Sequence, residues 1–195
     1  MKLHPFALAI TFAAGLLNPC FALDPEWQAQ NDGAEAQFKL KNYTAAEAMF
    51  MKARQIATDR NENQELGKTL FDMAWMYDSL GRLSDAEILY SQLLQARIKA
   101  FGDGSVDVAK AYKLLADEQL KLNKLDKAEA NMLAGLRILE VLAPHSTDAN
   151  KVLIGLLKDL AKVCRLEHKD ADALAYDKRA SELAIAYSQN NIPHH

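Results

Sequence analysis

The sequence predicts an all-α solenoid of about four stacked helix-turn-helix pairs, and three observations carry that reading. Alanine recurs at matched places, Ala34, Ala74, Ala116 and Ala161, at separations of 40, 42 and 45 residues. A second alanine follows each of these by twelve residues, at Ala46, Ala86, Ala128 and Ala173. The chain of 195 residues holds only eight glycines and five prolines, and its long stretches of Ala, Leu, Lys and Glu favour helix.

The first residues stand apart. Lys2 and His4 give a short basic start, Phe6 to Leu17 is apolar or small except for Thr11, and Asn18-Pro19 breaks the run. Cys20-Phe21-Ala22 then offers small residues where a signal peptidase cuts, the layout of a secretory signal. Cleavage is expected after Ala22, giving a periplasmic or secreted chain that starts at Leu23 and keeps no stable membrane span. A retained anchor is the weaker alternative, because a span needs roughly 20 apolar residues. A lipoprotein modified at Cys20 is a further alternative, poorly served by Pro19 just before the cysteine. Loss of Lys2 takes the formal charge from −3 to −4, an acidic balance that argues against nucleic acid as a partner. Cys164 is then the one remaining thiol, so no internal disulfide is available. A buried structural role is expected for it.

The first helix of each pair is marked by a large apolar residue, a second one three positions on, and then the anchor alanine: Leu70/Met73/Ala74, Tyr112/Leu115/Ala116 and Leu157/Leu160/Ala161. That spacing makes one helical stripe. The second helices repeat as Tyr43/Ala46/Phe50/Ala53, Leu83/Ala86/Tyr90/Leu93 and Leu125/Ala128/Met132/Gly135. Two antiparallel helices approach closely where small side chains face each other and large ones fill the adjoining grooves. Gly81 reads as a terminator, with Ser84-Asp85 as N-cap candidates, and residues 101–105 and 144–148 read as loops between pairs. A lone pair cannot bury its stripe, so the pairs must stack. The expected organisation is a signal at 1–22, a solenoid at 23–188 with repeats near 27–60, 65–101, 105–143 and 147–187, and a tail at 189–195.

The run from Leu80-Gly81-Arg82 to Ala86 and Tyr90 resembles the turn and second helix of a tetratricopeptide repeat (TPR). The period of about 42 residues, with Phe101-Gly102 followed by Val106-Asp107-Val108-Ala109, is similar to the longer variant typified by kinesin light chain. The resemblance covers about residues 27 to 187. Its ends deviate: Gln30, Gly33 and Gln37 replace bulky residues in the first repeat, and Asp170 and Asp177 stand at normally apolar places in the fourth. The long variant often carries paired Asn just before the anchor alanine, where this chain has Phe71-Asp72, Lys113-Leu114 and Lys158-Asp159. The carboxylate clamp of chaperone-binding TPRs is not matched either, with Asn31, Glu35 and Asp117 in its places.

The resemblance implies a right-handed superhelix with the first helix of each pair facing inward. The inward positions hold Phe38 and Lys39 in the first repeat, and Lys68, Phe71 and Trp75 in the second. They hold Lys110, Lys113 and Lys121 in the third, and Lys158, Lys162 and Arg165 in the fourth. With the acids Glu35, Asp78 and Asp117 this face carries a surplus of +5. An apolar anchor ringed by positive charge suits a protein or peptide partner that is acidic or has a free carboxylate. The alternatives are that the lysines only keep an exposed face soluble, or that the solenoid serves a cell-envelope assembly through its convex side or last helix (Tyr176, Leu183, Tyr187). The histidines His4, His145, His168, His194 and His195 make no metal or catalytic spacing, and no P-loop, dinucleotide fingerprint or Gly-x-Ser-x-Gly elbow occurs. No cofactor, metal or enzymatic activity is expected.

Overall fold

All eight recurring alanines are buried, seven of them completely and Ala173 to within 2%. They hold together the helices of a computed structural model that describes residues 24–190. The expected signal segment with Cys20, and the His194-His195 pair, lie outside the described residues. The elements are α1 (Pro25–Lys39), α2 (Tyr43–Asp59), α3 (Asn63–Ser79), α4 (Leu83–Phe101), α5 (Val106–Lys121), α6 (Leu125–Leu142), α7 (Thr147–Leu166) and α8 (Asp170–Asn190), with a 3-10 turn at Ala143–His145. Consecutive helices pair as α1/α2, α3/α4, α5/α6 and α7/α8, and the pairs stack into an all-α solenoid. No strand occurs among the described residues. None of the described helices is long and apolar enough to cross a membrane.

Apolar side chains fill the space between pairs. Phe50, Leu70, Met73, Tyr90 and Leu93 join the first three repeats, and Met132, Leu139, Leu156, Leu157 and Leu160 join the last two. At Gly135 an added Cβ would lie 3.3 Å from the Ala109 carbonyl oxygen and 3.5 Å from Leu156. Hydrogen there lets α6 close against both α5 and α7. In the first repeat the bulk missing at Gly33 comes from Met49, whose Cε occupies the place of a Cβ. Trp27, 1% exposed, packs with Ala53 and Ala57.

The turns share one geometry. In α1–α2, α3–α4, α5–α6 and α7–α8 a three-residue link has its middle residue at positive φ: Lys41, Gly81, Asn123 and His168. In each, the N–H of the third residue returns to a carbonyl five residues back, as in Arg82 to Tyr77 (2.8 Å) and Lys169 to Cys164 (2.8 Å). The same turn, centred on Asn61, joins α2 to α3, so α3 starts at Asn63, just ahead of the repeat boundary expected near 65. Ser105 and Ser146 cap α5 and α7, each accepting at 3.2 Å from the N–H three residues on. Ser84 and Asp85, expected as caps, lie inside the first turn of α4. Arg82 occupies the cap position, and its Nε donates to Asp85 at 2.7 Å. α8 continues to Asn190, so its end overlaps the segment expected as tail.

One edge of the stack carries a repeated contact. In the first three repeats the residue after the second-helix alanine is an acid, and it meets the base that closes the turn of the next repeat. The pairs are Glu47 with Arg82 (3.6 Å), Glu87 with Lys124 (2.5 Å) and Glu129 with Lys169 (2.9 Å). A donor from the first helix joins two of them: Tyr77 Oη to Glu47 (2.5 Å) and Gln119 Nε2 to Glu87 (3.3 Å). Cys164 holds the equivalent place, buried, its thiol pushed up by burial and then by Glu129. The ladder has no counterpart at either end: Asn42 stands where a turn base would be, and Leu174, 70% exposed, where the acid would be. α8 also carries Asp177 and Ser181 in register with Tyr90/Met132 and Leu94/Leu136 of the inner repeats. These polar residues suit the last layer of a stack, and Asp177 pairs with Arg165.

Candidate partner-binding face

The first helices line a concave groove of about 580 Å³, with Tyr90 reaching in from α4. Phe71 and Trp75, one turn apart on α3, remain 37% and 52% exposed in its wall. The edge of Phe38 meets Trp75 with ring centroids 5.2 Å apart, and Phe38 also contacts Tyr43. On the far side of Trp75 lies a slot of about 80 Å³ bounded by Phe38, Lys39 and Phe50, with Glu35 and Asp72, both paired with Lys68, completing its wall. Trp75 is thus a ridge between two depressions, the position of a large side chain that a partner can cover.

The charges do not match the expected surplus. Lys68 Nζ sits between Glu35 (2.6 Å) and Asp72 (2.7 Å), linking α1 to α3. Lys121 sits between Asp78 (2.6 Å) and Glu118 (2.9 Å), linking α3 to α5. Lys113 sits between Asp117 (2.7 Å) and Asp159 (2.8 Å), linking α5 to α7. Lys110 meets Asp148 at 2.7 Å and Arg165 meets Asp177. The five carboxylates of Asp72, Glu118, Asp148, Asp159 and Asp177 therefore cancel the +5, and most of these bases hold neighbouring helices together. Lys39, Lys158 and Lys162 remain without an ion pair among the described residues. Lys162 lines the groove, Lys39 lines the slot, and Lys158 is exposed outside both.

Burial and pairing set the protonation of this face. Burial pulls the Lys113 and Lys121 amines down, but their two carboxylate hydrogen bonds outweigh it and leave both above the usual lysine value. Burial pushes Asp117 and Glu118 above the ordinary carboxylate range despite their lysines. Glu118 is 1% exposed, and its Oε1 has no hydrogen-bond partner. The Tyr90 hydroxyl is pushed up to about 12 by burial and by Asp78 and Glu118. Glu35 is held low, chiefly by the hydrogen bond from Lys68.

Asn31, expected to face the groove, is instead fully buried. Trp27 Nε1 donates to Thr69 Oγ1 (2.9 Å), Thr69 Oγ1 donates to Asn31 Oδ1 (2.9 Å), and Asn31 Nδ2 donates to Asp72 (2.9 Å). This chain runs from the buried tryptophan to the Lys68 clamp and fixes α1 on α3. Trp27, Thr69, Asp72, Glu118 and Asp159 were not among the residues singled out by spacing. The one signal that pointed to this region was the pair Asp72 and Asp159 in place of Asn ahead of the anchor alanine.

A family model described as tetratricopeptide repeat matches residues 28–99. Residues 28–99 thus carry tetratricopeptide repeats, and the chain folds as a TPR-like solenoid. It is similar to the crystal structure of BtubC (BKLC) from P. vanneervenii, with a TM-score of 0.73 and 18% identity over 89% of this chain and 69% of that one. It is also similar to aspartyl phosphate phosphatase F from Bacillus subtilis, with a TM-score of 0.54 and 19% identity over 81% of this chain and 49% of that one. At these identities the likeness is one of fold. A search of the curated proteins finds no match. Repeats of this kind make the chain a scaffold for protein–protein interaction, its first helices offering the concave surface described above.

Proposed function

We propose that this TPR protein is an exported scaffold that holds an acidic peptide segment of a partner across its concave face. Export rests on the composition of residues 1–22. The binding reading rests on one observation: Trp75 lies 52% exposed on the inner face, in a chain whose other tryptophan, Trp27, is 1% exposed. Phe71 and Phe38 flank it, and the unpaired amines of Lys39 and Lys162 border the slot and the groove on its two sides. An aliphatic or aromatic side chain seated against Trp75, with acidic residues on both sides, fits that arrangement.

The two tryptophans make the test direct. Binding of a peptide with an apolar centre and acidic flanks shifts the Trp75 emission to the blue and protects it from iodide, while Trp27 stays unquenched throughout. Trp75→Ala lowers affinity at least tenfold, and Lys39→Glu with Lys162→Glu removes the salt sensitivity of what remains. Unchanged quenching at saturating peptide would defeat the reading.

A second reading, a subunit of an envelope assembly touching partners through its last repeat, is favoured by the exposure of Leu174 (70%) and Ile185 (58%) on α8. Tyr176 and Leu183 are not the contacts it would use, since both pack inward on the α7–α8 core. Sedimentation of the mature chain, compared with Leu174→Asp and Ile185→Asp, separates the two readings.

A further inference from the structure

A second groove, on the face built by α2 and α4, differs from the concave one in sign. Its volume is about 300 Å³ and no carboxylate lines it. The concave groove, by contrast, is lined by four carboxylates and three amines. Arg54 of α2 and Lys99 of α4 border the outer groove, and neither forms an ion pair among the described residues. Leu66 contributes apolar surface above the buried Leu70, while Ser91, Gln92 and Gln95 supply hydroxyl and amide groups. The Gln92 Oε1 is shielded from solvent and accepts no hydrogen bond. Ser91 and Gln92 also line a further depression of about 410 Å³ that runs on to Ile88 and Lys127 and is bordered by Glu87, itself already paired with Lys124. Ile88 is 55% exposed, and Lys127 too lacks an ion pair.

We infer that this outer groove is a second binding site, for an extended peptide segment that carries both acidic and aliphatic side chains. Each part of the lining answers one part of such a segment. Carboxylates meet Arg54 and Lys99, the only charges that the described residues bring to the groove, without displacing an existing partner. An aliphatic side chain covers the half-buried Leu66. The exposed amide of Gln95 offers a peptide backbone both a donor and an acceptor. On the inner face an incoming carboxylate would compete with acids already bound to Lys68, Lys113 and Lys121. The uncompensated positive groove of this protein is therefore on the outside of the stack, where the first-helix pattern does not look.

The test uses the mature chain with Trp75→Ala, which disables the concave anchor, and a fluorescein-labelled peptide of alternating Glu and Leu read by polarisation. This protein binds the peptide, and affinity falls at least tenfold between about 0.05 and 0.3 M salt. Adding Arg54→Glu and Lys99→Glu lowers affinity at least tenfold with the helical circular dichroism unchanged. Lys41→Glu with Lys178→Glu, the same change of charge on exposed residues outside the groove, lowers it less than threefold. The inference is overturned by absence of binding in the Trp75→Ala protein, or by an Arg54/Lys99 effect no larger than that of Lys41/Lys178. Neither result bears on the concave site, which is read by Trp75 quenching in the unsubstituted chain.

Discussion

The centre of the inner face and the turn edge use the same chemistry, a lysine against a shielded acid, with opposite results for the acid. At the edge, burial pulls Glu87 upward, but the hydrogen bonds from Lys124 and Gln119 bring it below the ordinary carboxylate range. At the centre, Glu118 and Asp117 also have lysine partners, and burial still leaves them above it. The difference is one of sharing. Glu87 receives a lysine and an amide for itself, whereas Lys121 is divided between Asp78 and Glu118, and Lys113 between Asp117 and Asp159. A partner stabilises a buried acid only when it outweighs the water and the like charges around it.

The largest break in this comparison comes from removing a shared base. Lys121→Ala leaves the buried Glu118 facing Asp78 with no cation, and the loss expected in urea unfolding at pH 7 is about 2–3 kcal/mol. Next come the two acids themselves. Glu87 is held low in the folded state, so its contribution is present above the ordinary carboxylate value of 4.5 and fades as pH falls through the depressed one. Glu87→Gln therefore costs about 1 kcal/mol at pH 7 and nothing at acid pH, where both forms are neutral. Glu118 is raised, so the folded state keeps its proton more readily than the unfolded chain. Stability from this group is present below 4.5 and is lost as pH rises through the raised value. Glu118→Gln should match wild type in acid and equal or exceed it at pH 7, and urea midpoints across pH 3–8 check both curves.

A smaller gain is expected at the turns. His168 and Lys41 hold positive φ with a Cβ, where Gly81 does so freely. His168→Gly or Lys41→Gly should stabilise by about 0.5–1 kcal/mol, seen as a higher melting temperature. The smallest effect sharpens the edge comparison. Leu174→Glu restores the ladder acid where no described turn follows it, so the change should stay within about 0.5 kcal/mol.

The alanine register was enough to read the helix pairs, because close helix approach tolerates little else at Ala74, Ala86 and their equivalents. The terminal repeats were harder, since Trp27 and Met49 replace the missing bulk of α1 from places the period does not mark. The charge of the concave face was misjudged for a geometric reason. Counting residues six and three before each anchor, and one, four and five after, catches side chains that point straight into the groove. Asp72, two before its anchor, and Glu118, two after, turn back on Lys68 and Lys121 of their own helices, while Asp159, two before its anchor, reaches Lys113 of the adjacent first helix. Spacing within one helix is enough to find the first two pairs, at i,i+4 and i,i+3, whereas the Asp159 contact depends on a base that a neighbouring helix brings within reach.

The edge ladder makes the middle of this protein interchangeable in a way its ends are not. A repeat such as α3–α4 presents a turn base to the layer before it and an acid to the layer after it, so a duplicate inserted beside it would find complementary charge on both sides. The same module spliced on beyond α8 would bring its arginine against Leu174, and one placed ahead of α1 would offer its glutamate to Asn42. Lengthening from within preserves the stacking grammar, and extension at either end requires rewriting one letter first.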